Sequence, residues 1–331
     1  MADDHKEWSR RRFLTYAVGA ATGAGIFRFF GEKKVPFHIR KRAENALRSG
    51  LAIVHGNHGD QKTESQTVSQ MAREAIQQLG GMERLVRPGA RVVIKPNMAW
   101  PRPPHIAAST NPYVVRALVS MCLEAGADRV RVLDHTIAPN PEPAYRISGI
   151  AEQAREAGAQ VVTTDPGRFR EVAIPGGFEL HKWSFYEEFI SREMCDVLIN
   201  VPVLKDHGTS RLTIGLKNAF GMVGGERGQL HSRIHRKIPD LHRIIKVDLT
   251  VMDAYRVIRQ NGPTGGREAD VDNSLEGARR IVASADPVAV DSYGASMFGL
   301  SPDEVEFVRN AEKAGLGGAD WHGAGVRERT I

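Results

Sequence analysis

Arg91-Val-Val-Ile-Lys-Pro-Asn97, the stretch Pro112 to Ala125, and Arg129-Val-Arg-Val-Leu133 together decide the fold. The first and last are short runs rich in β-branched residues. The middle one has helical spacing, with Pro112 in its first turn behind Thr110 or Asn111 as cap. Strand, helix and strand in that order make a parallel βαβ unit. The rhythm extends in both directions. Upstream, Leu51-Ala-Ile-Val-His-Gly56 reads as a buried strand, and Thr67 to Leu79 as a helix stopped by Gly80-Gly81. Downstream, a helix is expected over Ile150–Ala157 and strands over Gln160–Thr163, Asp196–Val201, Leu249–Met252 and Ile281–Ser284. Helices then follow around Val288–Phe298 and Pro302–Ala314. The strand runs are largely apolar throughout, as strands covered on both faces are. After Pro166, Glu171-Val-Ala-Ile-Pro and Phe178 to Phe185 predict an antiparallel excursion. The expected fold class is α/β: a mostly parallel sheet flanked by helices, with an antiparallel insertion near 170–190. Residues 49–331 are expected to form a single α/β domain or two closely joined lobes.

The chain has 331 residues and a formal net charge of +6. Residues 1–48 hold 11 Lys/Arg and 5 Asp/Glu, so this segment alone accounts for the +6; the remaining 34 bases and 34 acids balance. The basic composition therefore makes no case for nucleic acid as partner. Within 1–48, Ser9-Arg-Arg-Arg-Phe-Leu14 precedes a Gly/Ala-rich apolar run, Thr15 to Phe30, interrupted by Arg28. Paired arginines before a weakly apolar stretch predict a twin-arginine export signal with the export machinery as partner. A bilayer span needs about 20 apolar residues, and this run falls short. The expected location is the periplasm, with a membrane anchor only if the signal is uncleaved. Cys122 and Cys195 are the only cysteines and read as small buried hydrophobes, although an oxidising compartment would also permit a bridge. An iron–sulfur cluster needs about four cysteines, so this chain alone builds none.

In an open parallel sheet, ligands bind beyond the carboxyl ends of the strands. Here those ends are polar: Lys95-Pro-Asn97, Asp134-His135, Lys205-Asp-His207, Asp253, Asp286 and Asp291. A single such residue is explained as a helix cap, and Asp286 before Pro287 reads as one. Several together, with lysines, point to a cleft. The densest stretch is 205–246. Lys205, His207, Lys217 and Asn218 surround the apolar run Leu212–Leu216, and Gly224-Gly225 forms a loop able to approach a ligand. His231 and His235 stand at i, i+4, where a helix would put both on one face as metal ligands, but Arg227, Arg233, Arg236 and Lys237 surround them. An anion site for carboxylate or phosphate competes with that metal site, and so does a solvated basic helix.

Val201-Pro-Val-Leu-Lys205-x-His207, followed by Leu212-Thr-Ile-Gly-Leu-Lys217-Asn218-x-Phe220-Gly221, resembles the central motif of the domain-of-unknown-function 362 family. Arg91–Asn97, Thr110-Asn-Pro112, Asn261-Gly-Pro-Thr-Gly-Gly266 and Ala285-Asp-Pro-Val-Ala-Val-Asp291 resemble further blocks of it, over roughly residues 50–315 in order. The resemblance implies the fold and the cleft. Many members carry an added ferredoxin-like cysteine segment, which this chain lacks, so no electron-transfer role comes with it. The spacing of His207, Gly215 and Lys217, with the Thr110-Asn-Pro112 helix start, also resembles the nickel-pincer lactate racemases. That likeness implies Lys217 as cofactor anchor and His207 as acid/base, although the glycine-dense sequence around the racemase lysine is only partly present.

The resulting expectation is an exported protein that binds a small anionic ligand or a metal-linked cofactor, either as an enzyme (an isomerase or redox-associated) or as a non-catalytic binding or maturation factor. The catalytic candidates are Lys217, His207 and Lys205. Lys95, Asn97, Thr110, Asp134, Asn218, Gly224, Gly225 and Arg227 are candidates for cofactor binding, and His231, His235, Asp253 and Asp291 for metal.

Overall fold

The computed structural model describes residues 38–42, 47, 49–57 and 63–331. The twin-arginine segment lies outside them. The βαβ unit is present as β2 (Arg91–Pro96), a helix over Pro112–Glu124 and β3 (Arg129–Val132), with β2 and β3 paired in parallel. Asn111 caps the helix by accepting from the Tyr113 amide at 3.0 Å. The upstream helix runs Glu64–Gln78 from a Thr63–Gln66 capping box and buries Val68, Met71, Ala72, Ala75 and Ile76. Asp286 is the N-cap of the helix Pro287–Ser296, as its place before proline predicts.

The central sheet is ordered β13-β1-β12-β10-β7-β2-β3-β4, where β1 is Leu51–His55, β4 Gln160–Val161, β7 Val197–Val201, β10 Leu249–Ile258, β12 Arg280–Ser284 and β13 Val326–Thr330. The pairs from β10 to β4 are all parallel; β12 runs antiparallel to both its neighbours. From β2 the chain winds one way to β3 and β4, then returns to β7 and β10 on the other side. The order therefore reverses between β2 and β7, and the ends of those two strands form the topological switch point. Apolar residues of the helices Glu64–Gln78 and Pro112–Glu124 cover one face, and those of Ile234–Leu241, Pro287–Ser296 and Glu306–Lys313 contribute to a second core. The antiparallel excursion is a separate two-stranded sheet, β5 (Phe169–Ala173) with β6 (Lys182–Tyr186). Among the described residues no helix is long and apolar enough to cross a membrane.

Two features depart from the sequence reading. The strand ending near Val201 does not run out into a loop. Pro202 interrupts it, and β8 (Val203–His207) continues beside β10 in parallel and turns back as β9 (Arg211–Thr213). The packed body also reaches back before residue 49. Ile39 bridges Ser191, and the Arg40 amide donates to Ile190 O at 2.7 Å. The Arg40 guanidinium is 2% exposed; it pairs with the Asp248 carboxylate and donates to the carbonyls of Lys246, Cys195 (3.3 Å) and Asp196 (3.0 Å). Cys122 and Cys195 are both buried and unbridged, and burial raises both thiols, that of Cys195 to about 12.

A buried ion pair loses most when one partner alone is removed, because the other charge stays in low dielectric. Arg40→Met is expected to lower the unfolding free energy in urea by about 3–5 kcal/mol. Adding Asp248→Leu should restore part of that. A loss within about 0.5 kcal/mol, as for an ordinary surface change, would show that Arg40 does not clamp the body.

Candidate functional site

The switch point opens into a cavity of about 500 Å³ lined by Lys95, Asn97, Asp134, Lys205, His207, Lys217, Asn218 and Arg227 from the sequence-derived set. Trp100, His135, Thr213, Phe220, Gly221, His231 and Pro263 are among the other lining residues. Lys95 reaches it because an apolar strand, β2, ends there: the ammonium is 1% exposed, lies 2.9 Å from Asp134 Oδ1 and donates to Asn218 Oδ1 at 2.6 Å. Asp134 Oδ2 accepts from the Met98 amide at 2.6 Å. Lys205, on β8, is also 1% exposed and donates to Ala108 O at 2.5 Å and to Asn97 Oδ1 at 3.3 Å.

Asn218 joins the walls. Its Oδ1 accepts from Lys95 and from Asn97 Nδ2 (3.0 Å), and its Nδ2 donates to Asn200 Oδ1 at 2.8 Å. Gly221 lets the 3₁₀ segment Lys217–Met222 lie against this network. A Cβ there would stand 1.8 Å from Asp134 Oδ1 and 2.6 Å from Lys95 Nζ. Arg227 donates to the carbonyls of His135 and Thr136, and its guanidinium joins the lining.

Lys217 differs from the other two lysines. It is 8% exposed, its ammonium stands 5.0 Å from the Phe220 ring centroid, and it has no hydrogen-bond acceptor among the described residues. Burial, with the neighbouring lysine charges, pulls Lys205 and Lys217 each down to about 7. Burial first, then Lys217 and His231, depresses His207 to about 3, and burial lowers His231 and His135 as well. The Thr209 amide donates to His207 Nδ1 at 3.1 Å, so the neutral ring carries its proton on Nε2. At neutral pH His207 is thus a hydrogen-bond donor. As a base it would be weak. Among the described lining residues Asp134 is the one acid, so these residues carry excess positive charge.

Other sequence candidates hold these groups in place. Thr110 Oγ1 accepts from the Asn97 amide (2.8 Å) and donates to Val201 O (2.7 Å), tying the ends of β2 and β7 together. Asp253 accepts from the amides of Asn111 (2.7 Å) and Tyr255 (3.0 Å), which anchors the start of the helix Pro112–Glu124; burial raises it to about 6. Asp291 accepts from the amides of Gly215 (2.7 Å) and Leu216 (2.9 Å), fixing the turn before Lys217; burial raises it to about 8. Both carboxylates are thus occupied by backbone donors. Gly224 and Gly225 also lie away from the cavity lining. Gly224 pairs with Ser184, accepts from Trp183 Nε1 at 3.1 Å and abuts Phe169, so the loop packs on the small sheet.

The histidine pair does not form as i, i+4 spacing predicts. Arg233, at φ 52°, separates a 3₁₀ segment ending at His231 from the helix beginning at Ile234. The His231 ring lies 6.2 Å from that of His207, while His235 stacks on Phe307, also at 6.2 Å. Among the described residues no group of three or more His, Cys, Asp and Glu could hold a metal ion. A resident divalent cation does not fit these residues, where three lysines and an arginine stand among three imidazoles and the Asp134 carboxylate.

Lys217 is expected to weaken the ligand-free protein. A lysine whose folded pKa lies near 7, well below an unfolded value near ~10.4, leaves the unfolded state binding more protons in between. Its penalty is therefore full below about pH 7 and fades as pH rises to about 10. Lys217→Met should stabilise the ligand-free chain at pH 7 by on the order of 1–2 kcal/mol, with the gain shrinking toward pH 10. A gain that does not change with pH, or a loss at pH 7, would mean that the ammonium is satisfied.

A thylakoid-associated protein of Synechocystis sp. is 28% identical over 255 residues, covering 74% of each chain. The apoprotein of lactate racemase from Thermoanaerobacterium thermosaccharolyticum matches in structure at a TM-score of 0.41 and 13% identity, over 76% of this chain and 56% of that one. A protein from Thermotoga maritima matches at 0.42 and 12%, over 78% and 60%. The chain thus spans less than two thirds of either solved structure, and at these identities the likeness concerns the fold alone. The family model for a domain of unknown function, DUF362, matches residues 92–296. That span holds β2 through the helix Pro287–Ser296, with every lining residue named above, and is more than half of the sequence: the chain belongs to the DUF362 family.

Proposed function

We propose that this protein binds a small organic anion in the lysine-lined cavity at the β2/β7 switch point. The observation that carries the reading is the buried Lys217 ammonium, which lacks an acceptor in a cavity already rich in cations. An ammonium largely removed from water and without a protein acceptor is unfavourable, and a carboxylate or phosphate supplies the missing acceptor. Lys205, Arg227 and the Nε2–H of neutral His207 add donors, and the Trp100 and Phe220 side chains supply apolar wall. The volume suits a ligand of metabolite size. Catalysis, if the bound anion reacts, has its most available group in the Lys217 amine, because the carboxylates of Asp253 and Asp291 are held by backbone amides.

Binding an anion raises the pKa of the lysines that meet it, so protons are taken up on binding. Affinity should be highest below about pH 7 and fall as pH rises toward 9. Calorimetry with inorganic phosphate and with pyruvate, in buffers of different ionisation enthalpy, measures both quantities. Lys205→Gln and Lys217→Gln should each weaken binding by about tenfold or more. Wild-type protein that binds neither anion, or binds them unchanged in both variants, would sink the reading.

We further propose that the chain is exported through the twin-arginine route. Support comes from Ser9-Arg-Arg-Arg-Phe-Leu14 and the weakly apolar run after it. Expressed in a cell with that route, the protein should reach the periplasmic fraction, and Arg10→Lys with Arg11→Lys should strand it in the cytoplasm. Equal export of the double variant would refute this.

A further inference from the structure

The surroundings of the three buried lysines separate them into two kinds. Lys95 has Asp134 and Asn218 as partners, and Lys205 has Ala108 O and Asn97. Both are held as donors. Among the described residues Lys217 has only the face of Phe220. For an amine so placed, the neutral form avoids the desolvation penalty of the ammonium, and a neutral amine held among cations is an activated nucleophile. A second polar group is also left over. Thr213, 3% exposed, has a hydroxyl oxygen with no hydrogen-bond partner, and it lines the same cavity. In the β8–β9 hairpin Thr213 is the register partner of Lys205, so the two side chains leave the same face of the hairpin, and both residues line the cavity. That is a two-donor seat for a carboxylate.

We propose that Lys217 forms a reversible imine with the carbonyl carbon of a small oxo-acid anion whose carboxylate is held by Lys205 and Thr213. The inference rests on the anion-binding reading above and narrows its ligand to one bearing both groups. In the step, the lone pair of the Lys217 amine adds to the carbonyl carbon, the carbonyl π pair moves to oxygen, and one N–H proton passes from the nitrogen to that oxygen. The resulting carbinolamine loses its hydroxyl with the remaining N–H proton as one water, leaving a C=N bond. No oxidant, reductant or further reactant is consumed. Burial, with the charge of Lys95, lowers Lys217 to about 7, so a neutral fraction of the amine is present at neutral pH.

The test treats the full chain at pH 7.5 with pyruvate and sodium cyanoborohydride, which reduces an imine to a stable secondary amine, followed by intact mass and peptide mapping. One adduct per chain is expected, on Lys217. The exposed Lys182, paired with Glu171, should stay unlabelled. Acetaldehyde, which has the carbonyl without the carboxylate, should label Lys217 at least tenfold more slowly. Lys217→Arg should abolish the adduct, with a cooperative thermal transition showing that the variant is folded. Thr213→Val should slow labelling without moving it. Label on Lys205 or scattered over surface lysines, or equal labelling by acetaldehyde, would overturn the proposal. If phosphate binds with the lysine dependence described above but no adduct forms, the imine is wrong and the anion site stands. If neither occurs, both fail.

Discussion

The structure around the cavity depends on the side-chain amide of Asn218, which uses both its ends. Its oxygen accepts from Lys95 at the tip of β2 and from Asn97 just beyond it; its nitrogen donates to Asn200 on β7. Asn200 Nδ2 in turn donates to Gly215 O at 2.8 Å, in the turn that Asp291 holds from the other side. Two neighbouring strands and the segment carrying Lys217 are thereby locked by one chain of amides. Each amide is buried, and a buried polar group left unpaired is costly, so the network favours one arrangement over near alternatives. Parallel pairing supplies the backbone frame, and the amides choose which side chains meet at its end.

That frame also explains why cations can be gathered there. Lys95 is neutralised by Asp134, and Lys205 is held by a carbonyl and an amide oxygen, so each has part of its lost hydration replaced. The replacement is incomplete, and depressed lysine affinities for protons are the consequence. The same imbalance excludes a bare divalent cation, which would add charge of the wrong sign. Burial keeps the nearby imidazoles neutral, so they enter the cavity as donors and do not add to the repulsion.

Much of this was legible in the sequence. Strand–helix alternation predicts the parallel core, and Asp286 and Asn111 announce the helix starts they cap. Lys95, Asn97, Asp134, Lys205, His207, Lys217, Asn218 and Arg227 are all found at the cavity, because polar residues that end apolar strands must emerge at the strand tips. The misplaced residues share a different cause. Asp253, Asp291 and Thr110 are polar at the same strand ends, but their oxygens are taken by backbone amides, a pairing set by tertiary contact. The i, i+4 spacing of His231 and His235 presumes one helix, and the left-handed backbone at Arg233 divides it. Arg40 was hidden within a basic segment whose other arginines suit export, since only Asp248, some two hundred residues on, reveals its pairing.

These placements give the lysines unequal roles although all three are buried in one cavity. A partner oxygen favours the charged form of an ammonium, because removing the proton forfeits the hydrogen bond. Burial lowers all three lysines, but Lys95 and Lys205 have such partners, so deprotonating Lys217 forfeits no hydrogen bond seen among the described residues, and the other way to relieve the cavity's charge is to bring an anion to it. The first response yields a nucleophile and the second a bound ligand. A molecule with both a carboxylate and a carbonyl uses both responses, with Lys205 and the unpartnered Thr213 hydroxyl meeting the anion and the Lys217 amine meeting the carbon. The preference for that ligand follows from which lysine the amide network leaves out.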